Sequence, residues 1–246
     1  MVIQTLQYYC VIAAAGSGQR MGSHCPKQYL SIEGKTILEW SLQPFLKIPE
    51  IEQVVVVIAQ DDHRFFSLPI AHHPKLLVVH GGHERYHSVL AGLAEIAKQA
   101  SDNDWVMVHD AARPNIAVED IYHLIKTVGQ HPVGGILGTP ISDSLKQVNQ
   151  QLTLLADAPR EHIWRAFTPQ IFRLGLLENC LEEAVQSGDP ITDESSAVLR
   201  KGHEVMMIEG RSDNIKVTTP ADYWIMNKLI TAALSEQDSF DEARLQ

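Results

Sequence analysis

The chain is poor in cysteine and has no long apolar run. Its three cysteines, Cys10, Cys25 and Cys180, stand far apart with no Cys-x-x-Cys pair. That excludes a disulfide framework and a cysteine-based zinc site, and it fits the reducing cytoplasm. No stretch reaches the ~18 consecutive apolar residues of a membrane-spanning helix. The opening MVIQTLQYYCVIAAAG lacks a cationic start and the layout of an export signal, and reads as a strand. Positive charge is also scarce: 20 Lys and Arg face 30 Asp and Glu, for a formal net charge of −10. A duplex binder carries a basic footprint, so no nucleic acid and no membrane is expected as a partner. If the protein handles phosphates, its few cations must be concentrated locally.

The 246 residues, 45% hydrophobic and 20% charged, suit one compact α/β domain spanning 1–246. Short apolar runs alternate with helical patterns, which predicts a mostly parallel sheet covered by helices. Strands are expected at Tyr8–Ala15, Gln53–Ala59, Lys75–His80, Trp105–His109, Val133–Pro140 and Glu204–Ile208. Helices are expected at Thr36–Ile48, Glu84–Ala100, Val118–Val128, Gly175–Gln186 and Asp193–Lys201, with a last one from Pro220. The polar stretch Ser142–Pro159, with a turn near Asn149, reads as a long β-hairpin, an arm at about 138–160 standing off the body. A protruding hairpin needs a partner surface, which suggests a homodimer. The polar tail from Ser235 is expected to fray.

The first strand leads into Ala13-Ala14-Ala15-Gly16-Ser17-Gly18-Gln19-Arg20-Met21-Gly22. Its third glycine comes one residue late for a dinucleotide fingerprint, and no lysine follows Gly22 as a P-loop requires. On the glycines alone, an ordinary βα turn and a phosphate-cradling loop are both open. Arg20 and Lys27 favour the cradle. They put two cations in one loop at the carboxyl end of a strand, the edge where open α/β sheets bind ligands. Cations fixed there would stabilise the negative charge of displacement at phosphorus.

The string AAAGSGQRMGSHCPKQYL resembles the signature of the 2-C-methyl-D-erythritol 4-phosphate cytidylyltransferases. Five further blocks resemble that family in its order: Gly81 to Val89, Val108-His109-Asp110-Ala111-Ala112-Arg113-Pro114, Thr168-Pro169-Gln170, Ile191-Thr192-Asp193-Glu194, and Gly210 to Thr218. The resemblance runs from about residue 8 to about 232. It implies a modified doubly wound, nucleotidyltransferase-type α/β fold with a β-hairpin dimerisation arm. It also implies transfer of the cytidylyl group of CTP to methylerythritol phosphate with release of pyrophosphate, in non-mevalonate isoprenoid synthesis. Mg²⁺ or another divalent cation would assist, held mainly through the CTP phosphates, with Asp110 as its protein ligand.

Carried over by position, the family places cytosine against the backbone of Ala14, Ala15 and Gly82, with the Ser88 hydroxyl beside it and Gly16 in the same nucleotide loop. Asp110 would lie near the ribose. Arg20 and Lys27 would stabilise the α-phosphate, and Arg160 and Lys216 would position the incoming phosphate. Arg160 is assigned by its spacing of eight before Thr168. Arg113, Ser144, Thr168, Thr192 and Asp213 would contact methylerythritol phosphate, part of that pocket coming from a partner's arm. His83 stands where the family commonly has an acidic residue, and Ser144 where it often has threonine.

Residue by residue, plainer readings stand beside these. Asp110 could cap a turn or pair with Arg113. His83 and His87 have a helical metal-binding spacing but no evident third ligand, and read better as surface histidines. Thr192 or Asp193 could simply cap a helix. Cys25, between two cations, reads as a bystander. A serine hydrolase is excluded by the lack of a G-x-S-x-G elbow. Two functional alternatives are a nucleotidyltransferase with another acceptor, such as ribitol phosphate or a sugar phosphate, and a nucleotide-binding regulator without turnover. Against the regulator stand Arg20, Lys27, Asp110 and Lys216 together, since a pure binder has no transition state to stabilise.

Overall fold

The computed structural model describes residues 6–16 and 25–244, with side chains as far as 236. Seven strands form one sheet in the order β11-β7-β10-β6-β1-β4-β5. These strands are β1 (Tyr8–Ala13), β4 (Ile51–Ile58), β5 (Leu76–His80), β6 (Trp105–Asp110), β7 (Gly134–Pro140), β10 (Trp164–Arg173) and β11 (Met206–Glu209). β5, β4, β1 and β6 are mutually parallel, as are β7 and β11. β10 runs antiparallel to both its neighbours, β6 and β7. The expected mostly parallel α/β sheet is thus present, with one reversed strand inserted.

The middles of the central strands are continuously apolar, as at residues 54–58 of β4 and 105–108 of β6, because helices cover both faces. Cys10, Ile12, Val54, Val56 and Ile58 pack with Leu38, Leu42 and Phe45 of α1 (Ile37–Leu46) and Ile121 and Leu124 of α3 (Val118–Val128). The alternate residues Tyr9, Val11, Val55 and Val57 pack on the other face. There they meet Val89 and Leu93 of α2 (Arg85–Ile96) and Leu177 and Leu181 of α4 (Leu174–Ser187). α2 comes close enough to the sheet that a Cβ on Gly92 would lie 2.6 Å from Val11 Cγ1.

Helix starts follow local chemistry. Thr36 and Glu39 form a capping box on α1, with Thr36 Oγ1 accepting from the Glu39 amide at 3.1 Å and Glu39 Oε2 accepting from the Thr36 amide at 2.8 Å. Asp193 caps α5 (Glu194–Arg200) by accepting from the Ser196 amide at 2.9 Å. Of the two cap candidates in that segment, it is Asp193 that serves.

Several boundaries differ from expectation. α2 ends at Ile96, because the amides of Lys98 and Gln99 turn to carbonyls three residues back and tighten the chain. β1 ends at Ala13, although the Ala14 amide still donates to the Val57 carbonyl. β11 sits at Met206–Glu209, where it pairs with Gly135–Gly138 of β7. The tail does not fray at Ser235, since α6 (Pro220–Arg244) remains helical across it.

The arm is a two-stranded hairpin, β8 (Leu145–Val148) with β9 (Leu154–Ala158), antiparallel and outside the main sheet. Asn149 Oδ1 organises its turn, accepting from the amides of Gln151 and Thr153. A second small ladder, β2 (Ser31–Ile32) with β3 (Lys35–Thr36), carries α6 through a cluster of Ile32, Ile37, Val217, Met226 and Ile230. Among the described residues, no helix is long and apolar enough to cross a membrane.

Candidate active site

The carboxyl ends of β1, β5 and β6 open into a cavity of about 370 Å³. This is the sheet edge at which α/β folds bind ligands. One wall is main chain and small residues: Ala13, Ala14, Ala15, Gly16 and Gly82. A Cβ at Gly81 would stand 2.4 Å from Ser88 Oγ, and one at Gly82 would stand 2.5 Å from His87 Cβ. The loop after β5 therefore needs glycine to lie this close to α2. Gln28, 5% exposed, anchors the opposite loop by donating from Nε2 to the carbonyls of Ala14 and Gly16.

The other wall is charged. Asp110, at the end of β6, meets Arg85 on one oxygen, with Nε and Nη2 each 3.1 Å from Oδ1. Its other oxygen meets Lys216 Nζ at 2.8 Å and Arg113 Nε at 3.4 Å. Burial alone would raise the Asp110 pKa, but Arg85, Lys216 and Arg113 outweigh it and hold the carboxyl far below the usual range. Arg85 continues to Glu194, Nη1 to Oε1 at 2.5 Å and Nη2 to Oε2 at 3.2 Å. Burial would lower the Arg85 pKa, but the two carboxylates raise it instead, so it stays charged. Lys27 lines the cavity and donates to the Val217 carbonyl at 2.8 Å, beside Lys216.

Behind Asp110 a fixed hydrogen-bond chain sets the backbone. The Asp110 amide donates to Thr168 Oγ1 at 3.0 Å, and Thr168 Oγ1 lies 3.0 Å from His109 Nδ1. His109 Nε2 lies 3.1 Å from the Arg113 carbonyl, which can only accept, so Nε2 carries the proton and Nδ1 accepts from Thr168. Burial pushes the His109 pKa down to about 4, in keeping with a neutral ring. Arg113 also donates to the Asn214 carbonyl at 2.8 Å, and Asn214 Nδ2 donates to the Thr168 carbonyl at 2.9 Å.

Of the residues singled out from sequence, Ala14, Ala15, Gly16, Lys27, Gly82, Ser88, Asp110 and Lys216 line this one cavity. Arg113 and Thr168 are buried directly behind it through their bonds to Asp110. Arg20 lies outside the described residues. Asp213 pairs with Arg211. Thr192 is exposed just before the α5 cap. Ser144 and Arg160 lie at the base of the hairpin, exposed and outside the cavity lining, and Arg160 donates to the Ser142 carbonyl. The pairing of Asp110 with Arg113, raised as a plain alternative, is present too, as one of three cationic contacts.

Sequence reading missed the engagement of Arg85 with both Asp110 and Glu194, the buried Glu194 and the anchoring Gln28. Arg85 and Glu194 each fell inside a quoted block, but nothing local links positions 109 apart. His80 and His83 are exposed, and His87 Nδ1 accepts from the Glu84 amide at 3.3 Å. Among the described residues no group of three or more His, Cys, Asp or Glu could hold a metal. The carboxylates lining the cavity are Asp110 and Glu84. That donor set fits a magnesium ion arriving on a polyphosphate, since this ion takes one or two carboxylates and fills its shell with substrate oxygens.

A family model for 2-C-methyl-D-erythritol 4-phosphate cytidylyltransferase matches residues 8–232. The enzyme of that name from Pseudomonas syringae pv. syringae is 47% identical over 223 residues, covering 90% of this chain and 94% of that one. Its counterpart from Salmonella paratyphi A is 44% identical, covering 96% and 99%. The crystal structure of the Francisella tularensis 2-C-methyl-D-erythritol 4-phosphate cytidylyltransferase superposes with a TM-score of 0.77 at 34% identity, covering 90% and 98%. This chain belongs to the 2-C-methyl-D-erythritol 4-phosphate cytidylyltransferase family, the nucleotidyltransferases that join CTP and methylerythritol phosphate in non-mevalonate isoprenoid synthesis.

Proposed function

We propose that the cavity at the ends of β1, β5 and β6 is where cytidylyl transfer takes place, within one catalytic domain of residues 1–246. The observation that carries this reading is the grouping of Lys216, Arg85 and Arg113 around the carboxylate of Asp110, with Lys27 lining the same cavity, opposite a wall of main chain. Cytosine lies against the amides and carbonyls of Ala14, Ala15 and Gly82, with the buried Ser88 hydroxyl beside it. Gly16 leaves room for the ribose and phosphates, and Asp110 faces the ribose.

A phosphate oxygen of methylerythritol phosphate attacks the α-phosphorus of CTP in line. The new P–O bond forms as the bond to pyrophosphate breaks, and the pyrophosphate takes the electron pair. No enzyme nucleophile and no proton transfer is required. Lys27, with Arg20 from the glycine loop, stabilises charge accumulating on the α-phosphate and leaving group. Lys216 positions the incoming phosphate. Magnesium, or another divalent cation, would neutralise charge on the triphosphate when bound, and Asp110 would be the carboxylate that helps to hold it.

Methylerythritol phosphate occupies the side bounded by Arg113, Thr168, Thr192 and Asp213. Ser144 and Arg160 lie away from their own chain's cavity and act in the site of a second copy. The exposed apolar residues of the arm, Val148, Leu152, Leu154 and Leu155, support such a dimer, Leu152 being 81% exposed. The reduced cysteines and acidic surface suit the cytoplasm, with no nucleic acid or membrane partner.

Pyrophosphate release from CTP and Mg²⁺ tests the reading, compared with methylerythritol phosphate, ribitol phosphate and no acceptor. Release with methylerythritol phosphate alone is expected. Release only with ribitol phosphate would reassign the acceptor, and silence in folded, CTP-binding protein would leave a binding module.

A further inference from the structure

Glu194 is an expensive residue to bury. It is 1% exposed at the first turn of α5, and both its oxygens are taken by the two terminal nitrogens of Arg85. The same guanidinium holds Asp110 Oδ1. Arg85 is thereby spanned between two carboxylates rather than aimed at a phosphate, although it lines the cavity. Asp110 Oδ2 is left for Lys216 at 2.8 Å and Arg113 at 3.4 Å. The result is a chain of alternating charge, Glu194 to Arg85 to Asp110 to Lys216, running from the helix beside Thr192 to the cavity wall.

A guanidinium prefers to face one carboxylate with two parallel N–H bonds. Here Glu194 holds Nη1 and shares Nη2 with Asp110, which keeps Arg85 from taking both oxygens of Asp110. Without the Glu194 charge, Asp110 becomes the nearest remaining anion, and Arg85 turns onto both its oxygens in competition with Lys216. We infer that Glu194 is a positioning residue for Lys216, acting through Arg85 and Asp110. Its kinetic consequences rest on the proposed role of Lys216 in orienting the acceptor phosphate, but its geometric consequence does not.

The test is Glu194→Gln, which keeps the shape and removes the charge. Lysine acetylation by acetic anhydride, followed by peptide mass spectrometry without substrates, reads the geometric step. Lys216 should label about fivefold faster than in the parent protein, relative to the exposed Lys98, whose labelling stays constant. An unchanged Lys216 rate in folded protein overturns the inference, whether or not the protein turns over CTP. Should Glu194→Gln fail to fold, Glu194→Asp takes its place: it keeps the charge but draws it one methylene back from Arg85, so a smaller rise in Lys216 labelling is expected, and an unchanged rate again overturns the inference.

Turnover supplies a second readout. kcat/KM for methylerythritol phosphate should fall about tenfold, with CTP affinity, measured directly, nearly unchanged. Combined with Lys216→Gln, Glu194→Gln should add little further loss. Multiplying losses would mean that Glu194 acts by another route, and parallel loss of CTP affinity and thermal stability would mark it as merely structural.

Discussion

His109 and Asp110 are neighbours at the end of one strand, and burial acts on them in opposite circumstances. Asp110 is buried against three cations and stays ionised, whereas His109 is bonded by the neutral Thr168 hydroxyl and Arg113 carbonyl, and burial outweighs the pull of Asp110 and keeps it uncharged. Because the folded protein holds the His109 pKa down to about 4, from 6.5, the unfolded chain binds the proton more readily between those values. Stability therefore falls as pH drops through that window, by a contribution on the order of 3 kcal/mol. Thermal melting from pH 7 to pH 4.5 should show this slope, and His109→Asn should flatten it. An equal slope in the variant would place the acid sensitivity elsewhere. Lys27→Ala makes a different prediction. Turnover should drop by ~10²-fold or more while CTP affinity changes far less, because the cation is needed most where charge develops. Equal losses in both would mean that Lys27 serves ground-state binding only.

The contact of α2 with β1 depends on the missing side chain at Gly92. Gly92→Ala would set a methyl 2.6 Å from Val11 Cγ1, so the helix must lift. We expect a cost of about 1–3 kcal/mol in denaturant unfolding, together with weaker CTP binding, since Arg85 and Ser88 ride on the same helix. Intact stability would show that α2 has slack. At this scale much was legible in the residues. The run VVVVI marks β4 because a strand covered on both faces can be apolar throughout, and helical periodicity from Thr36 marks α1, whose capping box only the structure shows. The direction of β10 was not legible. Antiparallel and parallel strands carry the same apolar positions, and only pairing with β6 and β7 distinguishes them. Nor could the end of α2 be read, since the apolar periodicity runs on into the turn that stops it.

The candidate site, considered across the whole molecule, is legible in proportion to how local it is. The glycine loop, Lys27 and Asp110 announce themselves by type and position, whereas the Arg85–Glu194 pair exists only after folding has joined two distant segments. The same holds one level further for Arg160, which lies on the arm outside its own chain's cavity. If a partner's arm completes each site, then Lys27→Ala and Arg160→Ala, each nearly inactive alone, should complement. Mixed after reversible dissociation, they form heterodimers in which one site has both residues intact, and activity should recover to about a quarter of the parent value. No recovery, with exchange verified by mass spectrometry, would mean that Arg160 acts within its own subunit or not at all.

The main-chain wall formed by Ala13 to Gly16 and the Gly81-Gly82 turn has a bearing on drug resistance. A compound that gripped this wall would hold on to amides and carbonyls that no codon change can rewrite. Substitution of Gly81 or Gly82, the direct route of escape, drives a new Cβ into Ser88 or His87. A resistant enzyme would have to alter the charged wall, whose cations the proposed mechanism uses for catalysis, so escape and fitness would be set against each other.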